Sequence, residues 1–586
     1  MNLKLLGILS KLKNVWIRYP LVVLMSVLMA FCAIYLVDSN YPKSIVEFNI
    51  TKLLIVSALG ISLTYALNLL AQRIGKSLVF SGLGVVFLVG FYFVLPKHEA
   101  DFTEVYSYLL IIVFILSHLL VAFIAFLKPE NTENNFWQFN KNLFVNFILT
   151  LIFTFVLVGG VELAILAIDQ LFEMDFDGLI YPKVFLFFLI FGSTLIFLLF
   201  NEMGLSSLEK EGEYPVVLKF FTQFILIPLL LIYVVILYLY AAKIVVQWEL
   251  PRGWVSYMIL AYSIVGILAL LLVHPLKEKT AKSWVKVFSR VFYYTLIPLL
   301  ILLFTAIFTR ILNYAYTEPR YFVLLLAIWL SCLVLYFTFF KKANIKFIPI
   351  SLFVFGLFGL IFPYLNAFSV AKRSQKNDLE RLLNENNLLV NGKIDFNQSV
   401  SDTLIHSIES KFEFLDERFQ RTYLLTFLNE KAQKKVPENH YWNMSDFFSE
   451  VISTTGQRSY MRKNLVATTK FQDISTYAYS IDEDVLRQEA VDINGDIFTF
   501  NTGRGQAYQL ILNGKDSVDF APQFKALFEQ HKGLSEESKV EHLFMVENLG
   551  KYEVKLGFES INMSQFKNDP PNYWLSNAQF FIKEKS

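Results

Sequence analysis

Residues 347–368 read FIPISLFVFGLFGLIFPYLNAF, and residues 369–380, directly after them, read SVAKRSQKNDLE. The first stretch is the last long apolar run in the chain. A hydrocarbon core about 30 Å thick is crossed by roughly 20 mostly apolar residues rising about 1.5 Å each, so this run qualifies as a membrane span. Toward the amino terminus, ten more runs qualify: approximately Leu21–Val37, Leu53–Ala71, Leu78–Leu95, Tyr106–Leu127, Leu143–Ile168, Val184–Phe200, Phe220–Ala242, Val255–Val273, Val291–Phe308 and Tyr321–Phe340. They are apolar on every face rather than alternating in segments of about ten residues, which excludes a membrane β-barrel and predicts helices. The expected architecture is a polytopic α-helical membrane domain of about 11 transmembrane helices followed by a soluble α+β domain with an antiparallel sheet.

Charge divides at the same place. Residues 1–370 carry 26 Lys+Arg against 19 Asp+Glu, and residues 371–586 carry 26 against 31. With the amino terminus cytoplasmic, inner segments hold 18 basic residues of the first block and outer loops 8. Basic short loops stay inside. An odd number of spans then carries the tail to the periplasm of a bacterial envelope, although Lys372, Arg373 and Lys376 pull the other way. The first run lacks a small-residue cleavage site before Asp38-Ser39-Asn40 and reads as an anchor in the inner membrane. Cys32 and Cys332 both fall inside spans, so no disulfide framework is expected.

In the tail, 371–460 reads as a helical neck and 461–586 as a β-rich domain. Leu404, Ile408, Phe412, Leu415 and Phe419 recur at helical spacing. From about Tyr477 the period is two, most clearly where Tyr552, Val554, Leu556 and Phe558 alternate with Glu553, Lys555 and Gly557. Asn391-Gly392, Asn494-Gly495 and Asn513-Gly514 are turn signals, because these residues tolerate the positive φ of tight hairpins.

Catalytic signatures are missing. The seven histidines include no pair at three- or four-residue spacing for a local metal site, and there is neither a G-x-S-x-G elbow nor a phosphate-binding G-x-x-x-x-G-K-[ST] loop. No metal, cofactor or nucleic-acid partner is expected. Gly82-Leu83-Gly84 lies within a span, where small residues serve helix contact.

Ionisable residues at membrane depth are costly and tend to face protein or a wet cavity. Glu162 is the one acid deep within a run; Asn146, Thr150 and Thr154 precede it as a polar stripe, Thr64, Asn68 and Gln72 form another, and His118 lies in the fourth span. Together they suggest a polar path, the alternative being hydrogen-bonding glue between helices. At the outer edge, Trp248, Glu249, Arg252 and Trp254 flank one turn, and Arg310, Tyr314, Tyr316, Glu318, Arg320 and Tyr321 crowd the next. Arginines there suit a lipid phosphate; the structural alternative is an aromatic interface belt, with Thr317 capping a helix that opens on Glu318-Pro319. On the inner face Lys282, Lys286 and Arg290 recur beside Trp284 as an interfacial basic helix that anchors on anionic lipid.

Leu250-Pro251-Arg252-Gly253-Trp254-Val255-Ser256, Trp284-Val285-Lys286, Thr317-Glu318-Pro319-Arg320-Tyr321, Ile348-Pro349-Ile350-Ser351 and Ser374-Gln375 resemble domain-of-unknown-function family 4153, most densely between Glu249 and Ile394. The resemblance implies a polytopic inner-membrane protein and brings no assigned reaction, cofactor or catalytic residue. Three function classes follow. The favoured one is a non-enzymatic envelope protein that binds or moves a lipid or small solute. The second is a membrane scaffold or sensor whose periplasmic tail recognises an envelope protein partner. The third is a glycosyltransferase using a polyprenyl-phosphate sugar; such enzymes need an acid in a large first external loop, which here is short and holds Asp38 and Glu47.

Overall fold

The computed structural model describes the chain apart from residues 1–2, 39–44, 129–131, 175, 213, 248–253, 275–282, 399, 438–441, 446, 449–459, 470–473, 489, 503–507, 532–536, 567–570 and 586. It divides into two compact units, one of Met1–Asn387 with Ser410–Trp442, the other of Leu388–Glu409 with Asn443–Ser586. Residues 371–460 are thus shared between them.

The first unit is helical. A surface helix α1 (Leu3–Arg18) leads into α2 (Pro20–Val37), α3 (Ile45–Ile74), α4 (Ser77–Val94), α5 (Glu104–Phe123) and the long α6 (Glu133–Phe172). The sixth crossing joins α7 (Ile180–Phe187) to α8 (Ser193–Phe200) through a π-helical turn at Phe188–Gly192. After the short α9 (Leu205–Leu208), a second π turn (Phe221–Leu226) links α10 (Val216–Phe220) to α11 (Ile227–Gln247). Then come α12 (Trp254–Val273), α13 (Ser283–Tyr314), α14 (Glu318–Phe339) and α15 (Phe347–Ile361), followed by α16 (Ala367–Glu385); the residues of α17 (Asp402–Asp416) are divided between the two units. Among the described residues ten crossings are at least 18 residues long and apolar enough to span a membrane; α15 is the shorter eleventh. The sequence run ending at Phe368 stops as a helix at Ile361 because a new one begins at Ala367, its first turn capped by Asn366, whose side chain accepts from the Ser369 amide.

Helix starts follow local chemistry. Pro20 opens α2, where its fixed φ suits the first turn and its missing N–H costs nothing. Thr132 caps α6 by accepting from the Asn135 amide. Thr317 occupies the cap position of α14, but its side chain makes no capping bond, contrary to expectation; Pro319 in that first turn leaves one amide fewer to satisfy. Small residues let helices approach: a side chain at Gly84 would meet Leu67 at 3.0 Å and one at Gly356 would meet Leu116 at 2.9 Å, while Gly82 faces open space.

Polar contacts sort the connections into two ends. At one end Lys11 pairs with Glu202, Arg73 with Glu209, Asn134 bonds Glu211, and Glu133 accepts from the Ile345 amide and lies 3.3 Å from His274. At the other, Asp38 pairs with Lys183, and Glu104 and Glu318 both approach Arg418. Successive connections among the described residues alternate between these sets, as helices that cross one after another require.

The second unit is β-rich. Its strands are β1 (Leu389–Val390), β2 (Lys393–Ile394), β3 (Tyr460–Ala467), β4 (Tyr479–Asp482), β5 (Val491–Ile493), β6 (Asp496–Thr502), β7 (Tyr508–Leu512), β8 (Asp516–Asp519), β9 (Glu537–Val540), β10 (Phe544–Leu549), β11 (Tyr552–Gly557), β12 (Ser560–Phe566), β13 (Asn572–Ser576) and β14 (Gln579–Glu584). Beside the β1–β2 hairpin they form three four-stranded sheets ordered β10-β11-β14-β4, β13-β12-β3-β9 and β5-β6-β7-β8. Among the described residues pairing is antiparallel except between β3 and β9. Asn494-Gly495 and Asn513-Gly514 make the β5–β6 and β7–β8 turns with φ of 56° and 87°, and 52° and 66°. On β11 the expected apolar set, Tyr552, Val554 and Leu556, is buried; Lys555 is buried as well, its amino group 4.6 Å from the Phe544 ring centre, so β11 is covered on both faces rather than one.

Candidate functional site

Within the helical unit a cleft of about 680 Å³ opens between the first helices and the pair α12 and α15. Its walls are overwhelmingly apolar, with Ile61, Leu119, Phe144, Phe147, Leu268 and Leu352 among them. That volume lies within the roughly 300–1,000 Å³ of small-molecule sites. A few polar groups interrupt the apolar surface: Ser62, His118, Asn140, Lys141, Thr150, Ser193 and Thr194.

Each is placed by local helix chemistry. His118 Nδ1 lies 2.8 Å from the Phe114 carbonyl one turn back, and Ser117 beside it shares a 2.8 Å hydrogen bond with Ser62 of α3. Ser193 and Thr194 follow the π turn directly, and Thr194 donates to the Ile190 carbonyl inside it. Such turns widen a helix and recur at functional positions. Asn140 donates to the Ala122 and Phe136 carbonyls. Lys141 is 6% exposed; its Nζ donates to Gln138 Oε1 at 2.8 Å and stands 5.4 Å from the Trp137 ring centre. The far wall is fixed at the end of α12, where the last carbonyls of a helix lack intrahelical partners. Trp137 Nε1 donates to the Leu271 carbonyl at 2.7 Å, Tyr214 Oη donates to that of Leu272 at 2.9 Å, and the two rings stack 5.7 Å apart.

The two polar stripes separate. On α3, Asn68 donates to the Arg18 carbonyl, Gln72 donates to Asn68, and Gln72 Oε1 accepts from the Leu205 amide. Nearby, Tyr19 donates to the carbonyl of the fully buried Asn201, whose side chain accepts from Asn146. These groups tie helices together. Thr150 lines the cleft, but Glu162, about three helical turns further along α6, does not. Glu162 is half-buried, and its Oε1 has no hydrogen-bond partner among the described residues.

At the opposite end of the bundle Glu318 is fully buried and bound through both carboxylate oxygens by Arg418, at 2.9 Å each, while the guanidinium lies 3.4 Å from the Phe414 ring centre. Gln375 donates to the Tyr314 and Tyr316 carbonyls and accepts from Lys411; Ser374 accepts from the Tyr316 amide. Two of the sequence patches singled out above, 317–321 and 374–375, therefore meet in one junction. Arg320 donates to the Tyr314 and Ala315 carbonyls at 2.8 and 2.7 Å, satisfying the carboxyl end of α13, where Ala315 adopts φ 60°. Arg310 is exposed on α13. Burial raises the Glu417 carboxyl above its ordinary range, Glu104 adding to the shift and Arg418 opposing it.

Arg252 and Lys282, with Trp248 and Glu249, lie outside the described residues. Trp284 donates to the Gln223 carbonyl at 3.1 Å; Lys286 and Arg290 are exposed. Among the described residues no group of three or more His, Cys, Asp or Glu is disposed to hold a metal ion. Sequence reasoning singled out His118 and Thr150 but missed Lys141, which stands near the start of a run. Its signal was a lysine three residues after Gln138 and four after Trp137 on a helix entering the membrane.

A similar protein, an uncharacterised protein of Pasteurella multocida (strain Pm70), is 31% identical over 301 residues, which cover 49% of this chain and 48% of that protein. The chain thus spans about half the length of that curated relative. No solved structure matches. Residues 18–410, which hold the cleft and most of the Glu318 junction, match the family described as "Domain of unknown function (DUF4153)", and the chain belongs to it.

Proposed function

We propose that this multi-pass protein binds or moves a lipid or small solute through the cleft beside α6, as a non-enzymatic component of the bacterial inner membrane. The observation that carries this reading is the cleft itself, an apolar space of about 680 Å³ at membrane depth with few polar groups. It is lined for a greasy ligand, and the described polar groups around it hold no paired acid and base. The test uses the full chain extracted in mild detergent and examined by native mass spectrometry for retained lipid. Thr150→Trp, which places an indole in the cleft, is expected to remove most of what the parent retains. A parent that retains nothing, or a Thr150→Trp protein that retains as much, defeats the reading.

The end of the bundle carrying α1 is assigned to the cytoplasm and the Glu318–Arg418 end to the periplasm, supported by the excess of basic residues in the connections of the first end. Protease added to spheroplasts is expected to cut the β-rich unit. Survival of that unit until lysis reverses the assignment. A second reading, a scaffold or sensor, is supported by the separate core of the β-rich unit, built around Phe498, Phe520, Phe524 and Phe580. Crosslinking in intact cells that yields no protein partner for that unit counts against it.

A further inference from the structure

Lys141 is a cation more than nine-tenths buried, and among the described residues no carboxylate pairs with it. Its neighbours are an amide oxygen, Gln138 Oε1, and the face of Trp137. A buried ammonium held by one neutral acceptor has donors to spare and an unbalanced charge, and such charges are otherwise paired. It also lines the apolar cleft. Lys141 lies eight residues into α6, about 12 Å from the helix start, near the membrane interface, while Phe144, Phe147, Thr150 and Leu151 carry the cleft deeper along the same helix.

We infer that the cleft takes a long-chain lipid with an anionic phosphate headgroup, the phosphate on Lys141 Nζ and the hydrocarbon along α6. This rests on the cleft being a ligand site, as proposed above. Charge complementarity selects the headgroup: a neutral amphiphile leaves the ammonium unpaired, and a small free anion leaves the apolar walls unfilled. The bound lipid comes from the leaflet at the α1 end of the bundle, where Lys141 lies.

The test equilibrates the full-length protein in detergent with equal amounts of phosphatidic acid and diacylglycerol of the same acyl chains, read by native mass spectrometry. The parent is expected to favour phosphatidic acid by about tenfold or more, the size expected of one charge-assisted hydrogen bond. Lys141→Gln is expected to lose that preference, Lys141→Arg to keep most of it, and Lys431→Gln, an exposed cation elsewhere, to leave it unchanged. If Lys141→Gln does not fold, Gln138→Glu takes the same measurement, because it gives the ammonium a carboxylate of its own and is expected to abolish the preference. Inorganic phosphate in excess is expected not to displace the lipid. Equal retention of both lipids by the parent, an undiminished preference in Lys141→Gln or Gln138→Glu, or full displacement by inorganic phosphate overturns the inference and leaves the cleft as a lipid site. Retention of neither lipid defeats the cleft reading itself.

Discussion

The helical unit and the β-rich unit turn opposite things outward. In the first, large apolar side chains face outward, with Leu78 89% and Val246 83% exposed, while Glu318, Asn201 and Thr222 are completely buried. In the second, Phe498, Phe520, Phe524, Leu556 and Phe580 are completely buried, and the exposed positions between them are largely polar. The difference is one of solvent. Against hydrocarbon, apolar surface gains nothing by leaving it, so helices are held by close packing, small residues and interhelical hydrogen bonds. Against water, burial of apolar area dominates. Polar substitutions should therefore damage the first unit, and apolar truncations the second.

Breaking the buried ion pair is expected to have the largest effect. Glu318→Ala takes the two-oxygen partner from buried Arg418, leaving it, of the described carboxylates, only Glu417 at 3.2 Å and Glu104 at 3.9 Å, and should destabilise the helical unit by about 3 kcal/mol, measured as thermal unfolding in detergent. Replacing both, Glu318→Met with Arg418→Leu, should recover most of that loss. A Glu318→Ala protein as stable as the parent would mean that the junction at Gln375 and Ser374 holds the helices without the ion pair. Phe580→Ala is expected to cost the β-rich unit a comparable amount, about 3 kcal/mol, through lost burial and the cavity left behind. Lipid retention by the helical unit should be unaffected, and a loss there would end the simple division of labour between the two regions.

How far a sequence displays its structure also differs between the units. The spans are visible because each run is long and uniformly apolar, and the hairpins because Asn-Gly requires positive φ at Asn494, Gly495, Asn513 and Gly514. What joins the helices is invisible. Tyr19 meets Asn201 across 182 positions, and Glu318 meets Arg418 across 100, and neither pair leaves a periodic trace. The same holds for the cleft, whose walls come from helices far apart in the chain and whose residues, taken one at a time, look like any lipid-facing run. Of the polar residues in or beside the apolar runs, His118 lines that cleft while Asn68 and Gln72 serve as ties between helices.

Smaller effects sharpen the same contrast. Gln72→Leu removes the acceptor of the Leu205 amide and the donor to Asn68, and is expected to cost about 1–3 kcal/mol although it makes α3 more apolar. An unchanged melting point would deny that these bonds hold the bundle. Glu162→Gln should behave differently. Its Oε1 is buried without a partner among the described residues, so removing the charge is expected to stabilise by up to about 1 kcal/mol. Because Glu162 does not line the cleft, retention of lipid there should not change. A loss of retention would tie Glu162 to the ligand path after all.

The least of the expected effects is a difference in sign with pH. In the β-rich unit Asp496 accepts from Asn513 Nδ2, Tyr552 Oη and Lys551 Nζ, in that order of influence, and its carboxyl is lowered to about 2. A carboxyl whose folded value lies below its unfolded one contributes stability above the unfolded value, about 3.9, and loses it as pH falls toward the folded one. In the helical unit burial raises Glu417, so its contribution runs the other way: it favours the folded state in acid and weakens as pH rises through its elevated value. Hydrogen exchange of the full chain between pH 7 and acid should therefore show β6 amides losing protection below about pH 4, a loss that Asp496→Asn flattens, whereas around Glu417 the Gln variant should remove a gain on acidification. If both variants change the profile in the same direction, the two carboxylates share one environment, and the contrast between a water-facing hairpin and a partly buried junction does not extend to their charges.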